Sequence, residues 1–250
     1  MIFNLPNPKK LAKKYRLAKP IPHISIDNLV KKKHLIAAHK EFEKVKPHQW
    51  RIFTRNNSYM EECYEFTDLP NLRDMIHNFN STEFIKWLEA LSGMKGLIPD
   101  PHGVGGGIMR CKTGDHLKIH TDFNWNDELR LHRVMSIILY FSKNWKKEWN
   151  GDLQFWDQQR KKMIRHYYPE QGRILIWNYH KRGFHGHPIP LATPKNIYRD
   201  GLRMFYFLSD STYKKSDPPH QSYYWYDEKS KTPYNPKKRM KSDYKVKRNK

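Results

Sequence analysis

The sequence has few cysteines, few acidic residues and no long apolar run. Its 250 residues include only two cysteines, Cys63 and Cys111, which is too few for a disulfide framework, and nothing near them resembles a thiolate metal site. The first twenty residues lack the apolar run of a signal peptide, and no stretch approaches the roughly 18 apolar residues that cross a bilayer. We therefore expect a soluble protein of the reducing cytoplasm with no membrane partner.

The shortage of acidic residues leaves a large positive charge at the two ends of the chain. The 47 Lys and Arg residues outnumber the 25 Asp and Glu residues, so the formal net charge is +22. Residues 1–55 carry 14 basic and 3 acidic side chains, residues 211–250 carry 12 and 4, and residues 56–210 carry 21 and 18. Aromatic residues make up 14% of the chain, which is too many for a wholly disordered protein, so we predict a folded middle with basic ends.

We predict one domain between two basic segments. These are an N-terminal arm over 1–20, a domain over 21–208 with helical support at 21–95 and a β core at 96–208, and a tail rich in Tyr, Lys and Pro over 209–250. A cluster of four aromatic residues at 223–226 could dock the tail on the domain. The basic ends could make weak contacts with nucleic acid or another polyanion, because cations displace counterions from phosphates and aromatic rings stack on bases.

Hydrophobic periodicity predicts helices first and then many strands. HISID reads as a strand, Asp27 as the N-cap of a helix that reaches about Val45, and WRIFT as a second strand. Two further helices follow, LPNLRDMIHNF and STEFIKWLEALSG, the second beginning at Ser81 and ending at Gly93. Six later segments read as strands: GGIMRC, HLKIHTD, RVMSIILYF, GDLQFWD, GRILIWNY and LRMFYFL. This order predicts an α+β domain whose helices cover one face of a β-sandwich or barrel.

The pair His120 and Asp122 is the strongest chemical motif. Both residues end a predicted strand, where residues two apart project from the same face and can bind one metal ion together. The similar pair His39 and Glu41 lies in a predicted helix, where residues two apart point in different directions. His120 and Asp122 therefore supply two of the three ligands of a facial metal site.

A third ligand is expected from a later strand or its approach. His185 and His187 both follow the strand GRILIWNY, and their equal parity leaves both open as the ligand. Two histidines and one carboxylate leave three coordination positions free, which suits non-haem Fe(II) holding a bidentate 2-oxo acid and O₂, although Zn and Mn accept the same ligand types. Arg199, fourteen residues after His185, could bind the carboxylate of such a cosubstrate through two hydrogen bonds.

Three blocks in order resemble the Fe(II)/2-oxoglutarate-dependent oxygenases of the prolyl-hydroxylase-like group. They are GLIPDPHGVGGGIMRCKTGDHLKIHTDFNW, VMSIILYFSKNWKKEWNGDLQFWD and FHGHPIPLATPKNIYR, and the resemblance covers roughly residues 95 to 208. It implies a double-stranded β-helix, or jelly roll, with the N-terminal helices packed on the larger sheet.

The resemblance also implies individual roles. His120, Asp122 and His185 correspond to the iron ligands, Arg199 to the partner of the distal 2-oxoglutarate carboxylate, and Tyr140 to a tyrosine that binds the same carboxylate. The implied cofactors are Fe(II), 2-oxoglutarate as cosubstrate, O₂ and ascorbate. The family's reaction releases succinate and CO₂ as it hydroxylates a substrate C–H bond.

Three positions qualify this assignment. Lys195, ten residues after His185, is the alternative to Arg199 because collagen-type prolyl hydroxylases use a lysine in that role. Gly201 stands where relatives often have serine. Arg203 has the parity of Arg199, so it either contacts substrate or pairs with a buried carboxylate.

The resemblance makes a peptidyl residue, with proline first, the expected substrate of a prolyl 4-hydroxylase-like enzyme. The basic ends favour a nucleic-acid oxygenase of the demethylating type as an alternative, but that family carries a second arginine six residues after the cosubstrate arginine. Here the residue six after Arg199 is Phe205. A third alternative is a non-catalytic β-barrel module that binds polyanions.

Overall fold

Four α-helices lie in the N-terminal part of the computed structural model, which describes residues 2–55, 58–100, 103, 106–209, 218–220, 222–224 and 244–246. They are α1 (Pro8–Arg16), α2 (Lys32–Lys40), α3 (Pro70–Phe79) and α4 (Thr82–Ser92). As predicted, Ser81 caps α4 by accepting a hydrogen bond from the Phe84 amide at 3.3 Å, and Gly93 ends it in the left-handed region at φ 84°. In the described part of the chain, no helix is both long and apolar enough to cross a membrane.

The first twenty residues pack on the domain, although we predicted a basic arm for them. Asn7 caps α1, and α1 lies against α4. Ile2, Phe3 and Tyr15 are buried in the main core, and the Trp87 indole donates a hydrogen bond to the Pro6 carbonyl at 2.7 Å. Leu5 and Leu11 also pack against the core, so apolar contacts hold this lysine-rich segment to the domain although Leu17 is exposed.

The second helix begins later than the sequence predicts. It starts at Lys32 and not after Asp27, and a short 3₁₀ helix over Glu41–Lys44 follows it. The Asp27 carboxylate instead accepts two hydrogen bonds from the Arg173 guanidinium, at 2.9 and 3.0 Å. This bidentate pair joins two neighbouring strands, so the carboxylate is used between strands and not as a helix cap.

Fifteen strands form two antiparallel sheets in the described residues. Their bounds are β1 (His23–Asp27), β2 (Arg51–Arg55), β3 (Ser58–Cys63), β4 (Ile98–Pro99), β5 (Gly107–Cys111), β6 (Leu117–Thr121), β7 (Trp125–Asn126), β8 (Leu131–Tyr140), β9 (Leu153–Trp156), β10 (Met163–Tyr167), β11 (Arg173–Asn178), β12 (His185–His187), β13 (Arg199–Leu208), β14 (Tyr223–Tyr224) and β15 (Tyr244–Val246). The larger sheet has the order β1-β11-β8-β13-β5-β3-β2-β15, with β4 beside β13 and β7 beside β8. The smaller sheet has the order β10-β9-β12-β6-β14.

The two faces of the larger sheet bury different sets of residues. Ile137, Leu139 and Ile176 pack with the helices in the main hydrophobic core. Their neighbours on the opposite face, among them Ile138 and Trp177, pack with strand β9 of the smaller sheet. This double burial explains why β8 is apolar at both parities. The arrangement confirms the predicted α+β fold with a jelly-roll core and helices on the larger sheet.

The chain returns to both sheets after residue 209. Tyr223 and Tyr224 pair with β6 and extend the smaller sheet, and β15 pairs with β2 at the edge of the larger sheet. Docking of the aromatic cluster is thus observed for its first two residues. Trp225 and Tyr226 lie outside the described residues.

Candidate functional site

His120, Asp122 and His185 meet between two adjacent strands of the smaller sheet. His185 on β12 is the direct register partner of His120 on β6, and Asp122 follows the end of β6. Each residue offers one ligand atom, and these three atoms lie within 4.8 Å of one another. The Asp122 carboxylate is 3.7 Å from His120 Nε2 and 3.6 Å from His185 Nε2. All three side chains are buried, and no other group of this kind occurs in the described residues.

Backbone carbonyls orient both imidazole rings. His120 Nδ1 lies 2.8 Å from the Lys118 carbonyl, and His185 Nδ1 lies 2.8 Å from the Gly183 carbonyl. A carbonyl only accepts hydrogen bonds, so each Nδ1 carries the proton and each Nε2 keeps a free lone pair. Burial lowers the pKa of His185 to about 4, although Asp122 opposes this effect, so the ring is neutral near pH 7. Neutral imidazoles and a carboxylate are the forms that bind a metal ion.

A guanidinium holds the Asp122 carboxylate in place. Arg133 Nη2 is 2.8 Å from one carboxylate oxygen of Asp122, and Ser136 Oγ is 3.3 Å from the same oxygen. Burial raises the pKa of the Asp122 carboxyl, but Arg133 and the two histidines outweigh this effect and hold that pKa well below its usual value. Arg133 is itself buried and lies over the Phe205 ring, 3.5 Å from the ring centroid.

Sequence reasoning missed Arg133 because the alternation of β8 is interrupted. The pairing of β8 with β13 shifts register between the partners of Met135 and Arg133, which is the mark of a β-bulge. The bulge turns Arg133 to the same interior as Ser136 and Tyr140, whereas simple alternation assigns it to the opposite face. The sequence did offer one indication, which is that Arg133 is a charged residue in a mostly apolar strand without an acidic residue.

Arg199 and Tyr140 form a second polar group in the same interior. Arg199 Nη2 donates a hydrogen bond to Tyr140 Oη at 2.8 Å, and Arg199 Nε donates to the Gly151 carbonyl at 2.7 Å. The Arg199 side chain is 1% exposed, and no carboxylate lies within ion-pair distance of it in the described part of the chain. A buried guanidinium without a carboxylate is costly, so it indicates a site for an anion from outside the chain.

The other predicted positions fall outside this arrangement. Lys195 is exposed in the loop before β13, so the structure does not bring it to the site. Arg203 faces the interior but donates a short hydrogen bond to the buried Glu62 carboxylate, the pairing that the sequence left open. At Gly201 a Cβ would approach Met109 Cε to 2.9 Å, so Met109 fills the space that a larger residue would need.

The residues fit the metal and the cosubstrate that the sequence implies. Three buried donors of the right chemical types converge on one point, and both imidazoles present their unprotonated nitrogen to it. The unpaired guanidinium of Arg199 fits a dicarboxylic 2-oxo acid. Fold and site together define a jelly-roll protein with a two-histidine, one-carboxylate group.

Comparison with known proteins agrees with this class. Residues 106–199 match the family model of the 2OG-Fe(II) oxygenase superfamily. The resemblance recognised from the sequence is confirmed, because the oxygenase family model matches within the chain and the fold is shared with solved prolyl hydroxylases. No curated protein matches the sequence significantly.

Three solved structures illustrate the fold. A prolyl-4-hydroxylase from Pseudomonas putida has a TM-score of 0.57 at 11% identity, with 82% of this chain and 100% of that chain covered. A Trichoplax adhaerens prolyl hydroxylase, solved with a hypoxia inducible factor peptide fragment, has a TM-score of 0.59 at 13% identity, with 80% and 90% covered. The viral collagen prolyl hydroxylase of Paramecium Bursaria Chlorella virus-1, solved with 2OG, has a TM-score of 0.51 at 11% identity, with 76% and 98% covered.

Proposed function

We propose that this protein is an Fe(II)- and 2-oxoglutarate-dependent dioxygenase that hydroxylates a peptidyl residue, with proline as the first candidate. The observation that carries the proposal is a buried three-ligand group beside a buried arginine that has no carboxylate partner in the described residues. When bound, Fe(II) supplies the oxidative chemistry that couples decarboxylation of 2-oxoglutarate to hydroxylation of a C–H bond.

His120, Asp122 and His185 would hold the metal ion through two imidazole nitrogens and one carboxylate oxygen. The two rings are oriented by hydrogen bonds to the Lys118 and Gly183 carbonyls, and the carboxylate is held by its ion pair with Arg133. These contacts are already present in the metal-free protein, so metal binding needs little rearrangement. A set of three protein ligands would leave coordination positions for the cosubstrate and O₂. The buried surroundings exclude bulk water from the reacting groups.

Arg199 and Tyr140 bind the distal carboxylate of 2-oxoglutarate in this proposal. The guanidinium keeps donors beyond those used for Gly151 and Tyr140, and the phenol can donate its own proton to the same anion. Burial raises the pKa of Tyr140 above its usual value, although Arg199 opposes this, so the phenol stays protonated and able to donate. A charged bidentate contact in a low-dielectric interior sets the orientation of the cosubstrate.

A peptide substrate is favoured by the kind of proteins that share the fold. Prolyl hydroxylases recur among the structural neighbours, and the Trichoplax adhaerens enzyme was solved with a peptide fragment. The position six residues after Arg199 is Phe205, which packs against Arg133 and Phe123 and adds no second arginine of the demethylase kind.

Turnover of 2-oxoglutarate tests the enzymatic part of the proposal. We expect purified protein with Fe(II), ascorbate and 2-oxoglutarate to form succinate, and His120→Ala to abolish this activity because one of three ligands is lost. The control is His77→Ala, which removes an exposed histidine from α3 and should keep full turnover. Equal turnover in His120→Ala and in the parent protein would contradict the assigned site.

Substrate class and metal content complete the test. Proline-containing peptides should raise 2-oxoglutarate turnover and gain one oxygen atom, detected by mass spectrometry. Stimulation by methylated oligonucleotides alone would favour the nucleic-acid alternative. Absence of stoichiometric Fe or Mn binding would leave only the non-catalytic module.

A further inference from the structure

His187 is a buried histidine that belongs to neither the metal group nor the cosubstrate group described above. It lies on β12, two residues after His185, so its side chain projects from the same face of the strand. The residue is 2% exposed, and neither ring nitrogen has a hydrogen-bond partner in the described part of the chain. Buried polar side chains without a partner are rare in folded proteins, so this ring calls for an explanation.

His187 is not one of the converging ligands. The ligand atoms that lie within 4.8 Å of one another belong to His120, Asp122 and His185. A register shift separates the two histidines of β12, because His185 pairs with His120 whereas His187 pairs with Leu117, three residues earlier on β6. The shift moves His187 along the interior, away from the metal group.

The surroundings of His187 place it between the two polar groups of the interior. Leu117, the register partner of His187, packs in one hydrophobic cluster with Cys111, which is the register partner of Arg199. An imidazole ring has at least one N–H donor in either protonation state. Arg199 belongs to the cosubstrate group, and His185, two residues before His187 on the same strand, belongs to the metal group.

We propose that His187 is a further cosubstrate-binding residue, which donates a hydrogen bond from its ring N–H to a carboxylate oxygen of 2-oxoglutarate. The inference rests on the proposed function, because it requires that a dicarboxylic 2-oxo acid lies between the metal group and Arg199. The bound carboxylate supplies the partner that the apo protein lacks, so part of the cost of burying the ring is recovered on binding.

The direct test is calorimetric titration of 2-oxoglutarate into Mn(II)-loaded protein without oxygen. We expect His187→Phe, which keeps a ring of similar size, to weaken 2-oxoglutarate binding by about tenfold to a hundredfold. His187→Asn and His187→Gln restore a donor near Nδ1 and near Nε2 respectively, so recovery of affinity in one of them identifies the nitrogen. The affinity for Mn(II) alone should not change.

The thermal midpoint of the apo protein distinguishes a binding role of His187 from a structural one, because loss of a structural histidine would lower the midpoint. Replacing an unpartnered buried imidazole by phenylalanine should leave the thermal midpoint of the apo protein unchanged or raise it. The matched control is His23→Phe, because His23 is also buried but bonds the Ile21 carbonyl at 2.8 Å and Tyr167 Oη at 3.0 Å. That control should lower the midpoint.

The outcomes separate this inference from the proposed function. If the parent protein with Mn(II) does not bind 2-oxoglutarate, the proposed function fails. If the parent protein binds it and His187→Phe binds it equally well, or if His187→Phe loses Mn(II) affinity, only the role of His187 is overturned. Should His187→Phe not fold, His187→Leu takes its place in the same titration. Repeating the titration with 2-oxobutanoate, which lacks the distal carboxylate, identifies the contacted end.

Discussion

Tyr224 covers one face of His120, and removing its ring tests whether the C-terminal segment helps to hold the metal site. The two rings are stacked, with centroids 4.9 Å apart and planes 20° from parallel, and Tyr224 is 8% exposed. The segment is fixed nearby by reciprocal hydrogen bonds, because Asn124 accepts from the His220 amide at 2.8 Å and donates to the Pro218 carbonyl at 3.0 Å.

The expected magnitude follows from the value of an aromatic contact. A stacked pair contributes about 0.5–1.5 kcal/mol beyond the burial of its area. If all of that free energy keeps the His120 ring in its binding orientation, Tyr224→Ala should weaken metal binding by about 2- to 12-fold. Tyr224→Phe keeps the ring and its burial, so its metal affinity should stay close to that of the parent protein.

The assay is a titration of Mn(II) into apo protein, followed by calorimetry or electron paramagnetic resonance. A second measurement is protease susceptibility of the tail, which should rise in Tyr224→Ala because the segment detaches more often. Equal Mn(II) affinity in the alanine and phenylalanine variants would refute the reasoning, since it would show that the stacked ring does not hold His120.

Three further predictions concern a buried ion pair, a tight strand contact and alkaline pH. Asp200→Ala should cost about 3 kcal/mol of unfolding free energy in a urea titration, because the buried Arg110 loses hydrogen bonds of 2.8 and 2.9 Å and keeps the exposed Glu43 as its remaining carboxylate partner. Removal of the exposed Asp27 should cost at most about 1 kcal/mol. Gly186→Ala should abolish Mn(II) binding, because its Cβ would lie 2.7 Å from the Leu117 carbonyl oxygen and force β12 from β6; retained binding would contradict this. Burial raises the pKa of Cys111 to about 12, so the thiol ionises at lower pH in the unfolded chain than in the folded protein. The free energy of unfolding should therefore fall as the pH rises from about 9 towards 12. Thermal denaturation over this pH range should show a smaller fall for Cys111→Ala.

Much of the site was predictable because strand alternation is a local property. His120 and Asp122 share a face because they are two residues apart at the end of β6, and Tyr140 and Arg199 each project inward from an apolar strand. The pairing of His120 with Asp122 followed from this alternation, whereas the role of Tyr140 followed from the family resemblance.

Other features depended on contacts that sequence patterns do not encode. The many lysines of the first twenty residues led us to predict a basic arm. The segment instead packs on the domain through the buried residues Ile2, Phe3 and Tyr15. The bulge in β8 reversed the side on which Arg133 lies. Asp27 read as a helix cap because its partner Arg173 is 146 residues away.

Sequence patterns alone were enough to predict the fold class and the residue types of the candidate site, because alternation, motif spacing and the order of the three blocks are all local or sequential properties. Three other features became visible in the folded chain: His185 and not His187 meets His120, Arg203 pairs with Glu62, and the tail returns to β6. These outcomes depend on sheet register and on the packing of distant segments, where a shift of one or two residues changes which side chains meet.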